Sequence, residues 1–341
     1  MHATATSVPR RRLALAGLAV TLVAVVVAGV AFGAVPVSVA DILGAIQRAL
    51  GGAERSAADA LIVDLRLPRV LLAALVGASL ALAGVLYQAL FKNPLADPYI
   101  LGVSSGAGLG ATLALVAVGT AYAGRAFGVP AGAFTGALLT IALVVRLASR
   151  GGRVEPTSLL LAGVAISYTL AAVTSFIMVV FRSSMASVVF WMMGGLTSAS
   201  WEYVGVVGGM LAIGALVPLL YARELDIMLL GDERAGQLGV NVERFKLVVL
   251  AAASLVVAGA VSVSGLIGFV GLMTPHMTRL VLGPGHRLLV PASALVGAIV
   301  MVAADLVARV VLAPVEIPVG IVTAVLGGPF FVWLLVRGER R

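Results

Sequence analysis

Apolar runs of about twenty residues recur along most of this chain, and the breaks between them are short and marked by charge, proline or glycine. Reading runs between breaks predicts ten helical spans, at roughly 13–35, 68–91, 98–120, 126–146, 157–181, 203–222, 245–263, 265–282, 290–312 and 317–336. The runs are apolar on every side instead of alternating, which suits helices in lipid and not the strands of a barrel. The expected fold is all-α and polytopic: one transmembrane domain over 1–341, with about ten transmembrane helices in a compact bundle.

The stretches around the first run need separate treatment. Arg10, Arg11 and Arg12 followed by apolar sequence also open a cleaved leader, but the run from Leu13 to Val35 is longer than a leader core, so a retained span is expected. After it, Ser38 stands where a helix cap belongs, with Asp41 near the positive end of the helix dipole. Ile42, Leu43, Ile46 and Leu50 then fall on one predicted face, so this segment reads as an amphipathic surface helix or as a plain loop. Glycine rows add a packing signal. Gly102, Gly106 and Gly110 stand four apart, as do Gly128, Gly132 and Gly136, and Gly205 pairs with Gly209, so helix backbones are expected to meet there.

Composition agrees with a chain lying mostly in the bilayer: 61% of residues are hydrophobic and 11% charged. The net charge of +8 reads as a topology signal and not as nucleic-acid binding. With the N-terminus inside, sixteen of the 23 Lys and Arg fall in inside segments, so both termini, 1–12 and 337–341, are expected in the cytoplasm. No cysteine is present, and His2, His276 and His286 are too scattered to suggest a metal cluster. His276 reads as structural.

Three groups of residues stand out as candidates. Asn93, Pro94, Leu95 and Pro98 form a short inside turn where two prolines stop the helix. The inside segment 222–246 is the longest polar stretch and carries four positive against five negative residues, a mixture that favours a protein contact over a lipid one. On the outside, Arg66, Arg69 and Arg309 place guanidinium groups where lipid gives no reason for them; a partner's carboxylates or local pairing with Asp64, Asp305 or Glu316 would each account for them. No phosphate-cradling Gly-x-x-x-x-Gly-Lys-Ser/Thr motif occurs, and the lysines, Lys92 and Lys246, do not follow a glycine-rich turn, so ATP binding by this chain is not expected. Asp305 is the main intramembrane acid and lies near the end of its span, which opposes a proton-coupled carrier. No clustered nucleophile or paired carboxylates suggest an enzyme.

Arg66-Leu-Pro-Arg69, Asn93-Pro-Leu-Ala-Asp-Pro98, Leu101-Gly-Val-Ser-Ser-Gly-Ala107, Gly271-Leu-Met-Thr-Pro-His-Met-Thr-Arg279, Glu316-Ile-Pro-Val-Gly320 and Gly327-Gly-Pro-Phe-Phe331 follow one another in an order that resembles the FecCD family. These are permease subunits of ABC importers for iron-siderophores, haem and cobalamin. The resemblance runs from about Ser38 to the C-terminus and implies a bacterial inner-membrane transport subunit, with a ferric siderophore as the expected substrate and haem and cobalamin as the alternatives. It implies a second permease copy, separate ABC ATPase subunits that bind the ATP, an extracytoplasmic substrate-binding protein, and no cofactor held by this chain. It also implies roles for the three groups. Asn93 and Leu95, with Thr157 and Ser158 at the start of the fifth span, would form a cytoplasmic gate, although Thr157 and Ser158 also suit an ordinary helix cap. Gly231, Asp232, Glu233, Arg234, Ala235, Gly236, Gln237, Leu238, Gly239 and Val240 would form the helix that docks on the ATPase, with Ala235, Gly236 and Gly239 permitting close approach. Arg66, Arg69 and Arg309 would meet glutamates of the binding protein.

Overall fold

The computed structural model describes residues 8–33, 35–118, 122–150 and 153–338. Of the tails expected at 1–12 and 337–341, residues 1–7 and 339–341 lie outside them. The chain runs through α1 (Val8–Ala31), α2 (Val39–Gly51), α3 (Ala57–Ala60), a wider π turn (Leu61–Arg66), α4 (Leu67–Leu90), a 3-10 turn (Pro98–Leu101), α5 (Val103–Val118) and α6 (Tyr122–Ala148). A two-residue hairpin, β1 (Ser149–Arg150) with β2 (Arg153–Val154), leads into α7 (Pro156–Val180). Next come α8 (Met185–Met192), α9 (Trp201–Leu220), α10 (Ala222–Met228), α11 (Asp232–Gln237), α12 (Val242–Ser264), α13 (Val270–Leu282), α14 (His286–Val310) and α15 (Val319–Gly338).

This is an all-α polytopic membrane fold, and each of the ten predicted runs falls on a helix. Among the described residues, seven helical stretches are long and apolar enough to cross a bilayer; the apolar parts of α5 and α15 are shorter, and α13 has only 13 residues, about 20 Å of helix. The caps follow local rules. Ser38 accepts from the Asp41 N–H while Asp41 accepts from the Ser38 N–H, and Ser56 and Asp59 repeat this reciprocal pairing. On α2 the inward stripe is Ile42 and Ala45, buried, with Ile46 and Ala49 partly buried, whereas Leu43 and Leu50 are exposed. The expected face was therefore partly misplaced: the inner side is set by contact with α3 and the π turn, not by the largest apolar residues.

The bundle is built around α4, which packs on α12, α13 and α14. Its contacts rely on absent side chains. A methyl at Gly77 would strike the backbone of Gly297, and one at Gly84 would strike that of Gly271, so these backbones touch directly. Tyr87, buried on α4, places its hydroxyl 3.1 Å from that of Ser254 on α12. The α5–α6 pair uses the predicted rows, with Gly106 against Gly136 and Gly110 against Gly132. Gly102 departs from its row, because it closes the 3-10 turn with φ +82° before α5 begins. Gly205 and Gly209 have no atoms within 4 Å of an added methyl, so their spacing marks an open face of α9.

Between α12 and α13 the helical path breaks at 265–269. Tyr99 from the 3-10 turn fills the break: its hydroxyl donates to the Ile267 carbonyl at 3.0 Å and accepts from the Ile267 N–H at 3.1 Å. Phe269, at φ +67°, then starts α13.

Candidate functional sites at the two ends of the bundle

Because α4 and α14 run in opposite directions along the bundle, their termini define two ends, one holding Asp305 and the other Asp232. Charge gathers at both, in different ways.

At the Asp305 end, the α14 acid is completely buried and held between two arginines. Arg69 Nε donates to Asp305 Oδ1 at 3.0 Å, and Arg309, one turn along α14, donates to Oδ2 at 2.9 Å. Arg69 also pairs with Glu316 at 3.0 Å, while Arg309 donates to the carbonyls of Gly29 and Phe32 at the end of α1. Among the described residues Arg66 takes no carboxylate; it donates to the carbonyls of Val30 and Val35. Local pairing with Asp305 and Glu316 therefore exists, but Asp64 lies outside it and binds Arg55 at 2.9 Å. Three arginines against two acids leave a surplus positive charge beside a groove of about 320 Å³ lined by Arg66, Arg69, Arg309 and Glu316. Glu316, 40% exposed, is the partner that solvent reaches most readily.

At the Asp232 end, residues 222–246 form α10, α11 and the first turn of α12. Gly231 (φ +105°) and Gly239 (φ +87°) bracket α11, turning the chain where other residues would be strained. Leu238 is exposed, and added methyls at Gly236 and Gly239 would meet nothing within 4 Å. Ala235 differs: it is completely buried within the chain, so it anchors α11 and does not offer a surface. Leu238, Gly239 and Val240 join Tyr221, Arg223 and Arg244 around a groove of about 430 Å³.

The two gate candidates occupy the same end. Asn93 Oδ1 accepts from the Leu95 N–H at 2.9 Å, fixing the turn after α4, and Lys92 beside it has φ +49°. Thr157 and Ser158 do not cap α7. Glu155 is the N-cap, because Pro156 takes the first helical position where its missing N–H costs nothing, and Ser158 donates to Glu155 at 3.1 Å. The 3-10 turn packs on α7 where Gly163 meets Ile100 and Leu101, which brings the two gate segments into one neighbourhood.

Side-chain contacts that the sequence did not reveal join these parts. Asp232 binds Lys92 through Oδ1 and Lys246 through Oδ2, the latter at 2.7 Å. Lys246 also donates to Glu243 at 3.0 Å and to the Val154 carbonyl at 3.1 Å, and the Val154 N–H donates to Glu243 at 2.6 Å. Burial opposes ionisation of Asp232, but the hydrogen bonds from Lys246 and Lys92 outweigh it and hold the carboxyl below its ordinary range. Farther along, Asp226 of α10 accepts from the His286 N–H at 3.0 Å and lies 2.6 Å from its Nδ1, fastening α10 to α14. His276 meets Phe330 edge to face at 6.2 Å between ring centres, and neither of its ring nitrogens has a hydrogen-bond partner among the described residues.

Known proteins resemble this chain along nearly its whole length. The cobalamin import system permease protein BtuC of Halobacterium salinarum is 46% identical over 83% of this chain and 75% of its own. The hemin transport system permease protein HmuU of Yersinia pestis is 41% identical, over 81% and 83%. The Fe(3+) dicitrate transport system permease protein FecD of Escherichia coli is 40% identical, over 81% and 85%. A solved structure of an ABC transporter assigned to the metal-chelate type, in an inward-facing conformation, superimposes with a TM-score of 0.83 at 32% identity, covering 95% of this chain and 98% of its own. The model of the FecCD transport family matches residues 20–337. With the fold, the ordered motifs and the relatives in agreement, this chain belongs to the FecCD transport family.

Proposed function

We propose that this chain is the permease subunit of a binding-protein-dependent ABC importer in a bacterial inner membrane, crossing it ten times as one domain with both termini in the cytoplasm. The observation that carries the reading is the family match over 20–337, which spans the whole bundle and not one motif. Two copies flank the pathway, and the chain itself holds no cofactor. Separate ATPase subunits bind ATP and dock at the Asp232 end, where Gly231 to Val240 project as α11 and the exposed residues after it.

Asn93, Leu95, Thr157 and Ser158 form the cytoplasmic gate in this reading. The substrate-binding protein docks at the Asp305 end. Arg66 and Arg309 are spent largely on backbone carbonyls and on Asp305, so Arg69 is the arginine free to exchange Glu316 for an incoming carboxylate. The substrate proposed is a ferric siderophore; haem and cobalamin compete with it because relatives carry those names.

The test is reconstitution with the cognate ATPase and binding protein in liposomes, measuring ATP-dependent uptake of a ferric siderophore, haemin and cobalamin. Uptake of one of the three, with no hydrolysis by the purified chain alone, is the expected result. ATP hydrolysis by the isolated chain, or uptake driven by an ion gradient without ATP, would overturn the reading.

A further inference from the structure

We propose that Asp232 is a positioning residue that ties the motion of α11 to both gate segments, through Lys92 on one side and through Lys246, Glu243 and Val154 on the other. The inference rests on the permease reading and adds to it a route by which movement at α11 reaches the gate.

The geometry is a shared carboxylate. Each oxygen of Asp232 serves a different lysine, Oδ1 for Lys92 and Oδ2 for Lys246. Lys92 directly precedes the gate turn at Asn93 and Leu95. Lys246 reaches the Val154 carbonyl, and Val154 ends the hairpin that feeds Pro156, Thr157 and Ser158. Gate segments that lie far apart in the chain thus meet at one side chain of α11.

The two arms differ in how firmly they hold. Lys246 has a side chain only 4% exposed and keeps Glu243 and a carbonyl besides Asp232, so its charge stays paired whatever α11 does. The Val154 N–H on Glu243 makes this arm a fixed brace. Lys92 and Asp232 are 32% and 40% exposed, and an ion pair that wet is weak enough to open and close during a working cycle. Lys92 also holds a left-handed backbone at φ +49°, which a residue with a Cβ adopts at a cost. Opening its ion pair removes a tether from that conformation. A displacement of α11 therefore loosens the Asn93 turn first and pulls the hairpin as a unit.

The chain contains no cysteine, so Leu95→Cys supplies a single thiol at the gate. In the reconstituted complex, maleimide labelling of that thiol is timed without nucleotide and with a non-hydrolysable ATP analogue, alongside ATP hydrolysis and thermal unfolding. With the network intact, nucleotide is expected to change the labelling rate. Asp232→Asn, which keeps the shape and removes the charge, and Lys92→Gln are each expected to abolish that difference, to a greater extent than they reduce hydrolysis. Asp232→Glu is expected to recover part of it. Variants that keep the full nucleotide-dependent difference overturn the proposal, as does a loss of labelling difference, hydrolysis and melting temperature in equal proportion, which marks a purely structural brace. Absence of any nucleotide effect at Leu95→Cys with the network intact removes the gate assignment together with the proposal, whereas loss of the network effect alone leaves the permease reading standing.

Discussion

α4 and α7 are helices of 24 and 25 residues with nearly unbroken apolar sequence, yet 83% of the most apolar window in the stretch containing α4 is buried within the chain and only 11% of the window in α7. The difference lies in side-chain size at the contact positions. Gly77 and Gly84 let α13 and α14 close onto α4, whereas α7 turns Leu161, Tyr168 and Phe176 outward, each about two-thirds exposed or more. Apolar sequence shows that a helix avoids water. It does not show whether protein, lipid or a second copy covers it.

The sharpest way to break this contrast is to thicken α4. Gly84→Val forces a branched side chain into the backbone of Gly271, and a loss of about 3 kcal/mol in stability is expected, read by unfolding in nanodiscs. Leu161→Ala on α7 is expected to stay within about 0.5 kcal/mol of the parent. Equal effects would erase the distinction between the two helices.

Next in size is the Asp305 end, where the charge belongs to the buried core. Arg309→Gln leaves Asp305 with one cation and frees two α1 carbonyls, so a loss of about 2–3 kcal/mol in stability is expected. Arg69→Gln separates docking from local balance: binding-protein affinity is expected to fall by roughly 1–3 kcal/mol, measured by titration in nanodiscs. Unchanged affinity would remove Arg69 from the docking surface.

On the open side, Tyr168→Ala and Phe176→Ala are expected to weaken association of two copies by about 1–2 kcal/mol each, with the monomer's melting temperature unchanged. An unaltered monomer–dimer equilibrium would mean that lipid covers α7. A modest stability loss is expected at Gly239→Arg, about 1 kcal/mol for its left-handed backbone, since nothing crowds the site. Uptake is nonetheless expected to fail there, and normal uptake would move the ATPase contact elsewhere.

What the sequence made legible was local. Ser38 announced a cap because the bonds it makes lie within three residues, and the rows at Gly106–Gly110 and Gly132–Gly136 announced contact because spacing alone aligns them on a helix face. The same spacing misled at Gly205 and Gly209, since a row of small residues says nothing about whether a neighbour is present. Thr157 and Ser158 looked like caps until Pro156 claimed the first turn. Arg66 looked like half of an ion pair, yet its partners are carbonyls released where α1 ends, and carbonyls leave no mark in sequence. The Lys92–Asp232–Lys246 junction was illegible for a related reason: Lys92 lies 140 residues from the Asp232 carboxylate, which it shares with Lys246 only because α4 and α12 pack together.

Tyr99 carries a consequence for energetics. Interrupted helices in membranes commonly expose carbonyl oxygens, and such oxygens are the usual coordination shell for a driving sodium ion or proton carrier. At the break between α12 and α13 four of those oxygens accept hydrogen bonds: Ser264 O from Gly195 N–H, Gly265 O from the Ser264 hydroxyl, Ile267 O from Tyr99, and Gly268 O from Val270 N–H. A cation arriving at any of these four would share the oxygen with a donor already in place. At this break the aromatic hydroxyl of Tyr99 does for the Ile267 peptide what a turn of helix would have done, so an interruption in the path of the chain is not an interruption in its hydrogen bonding.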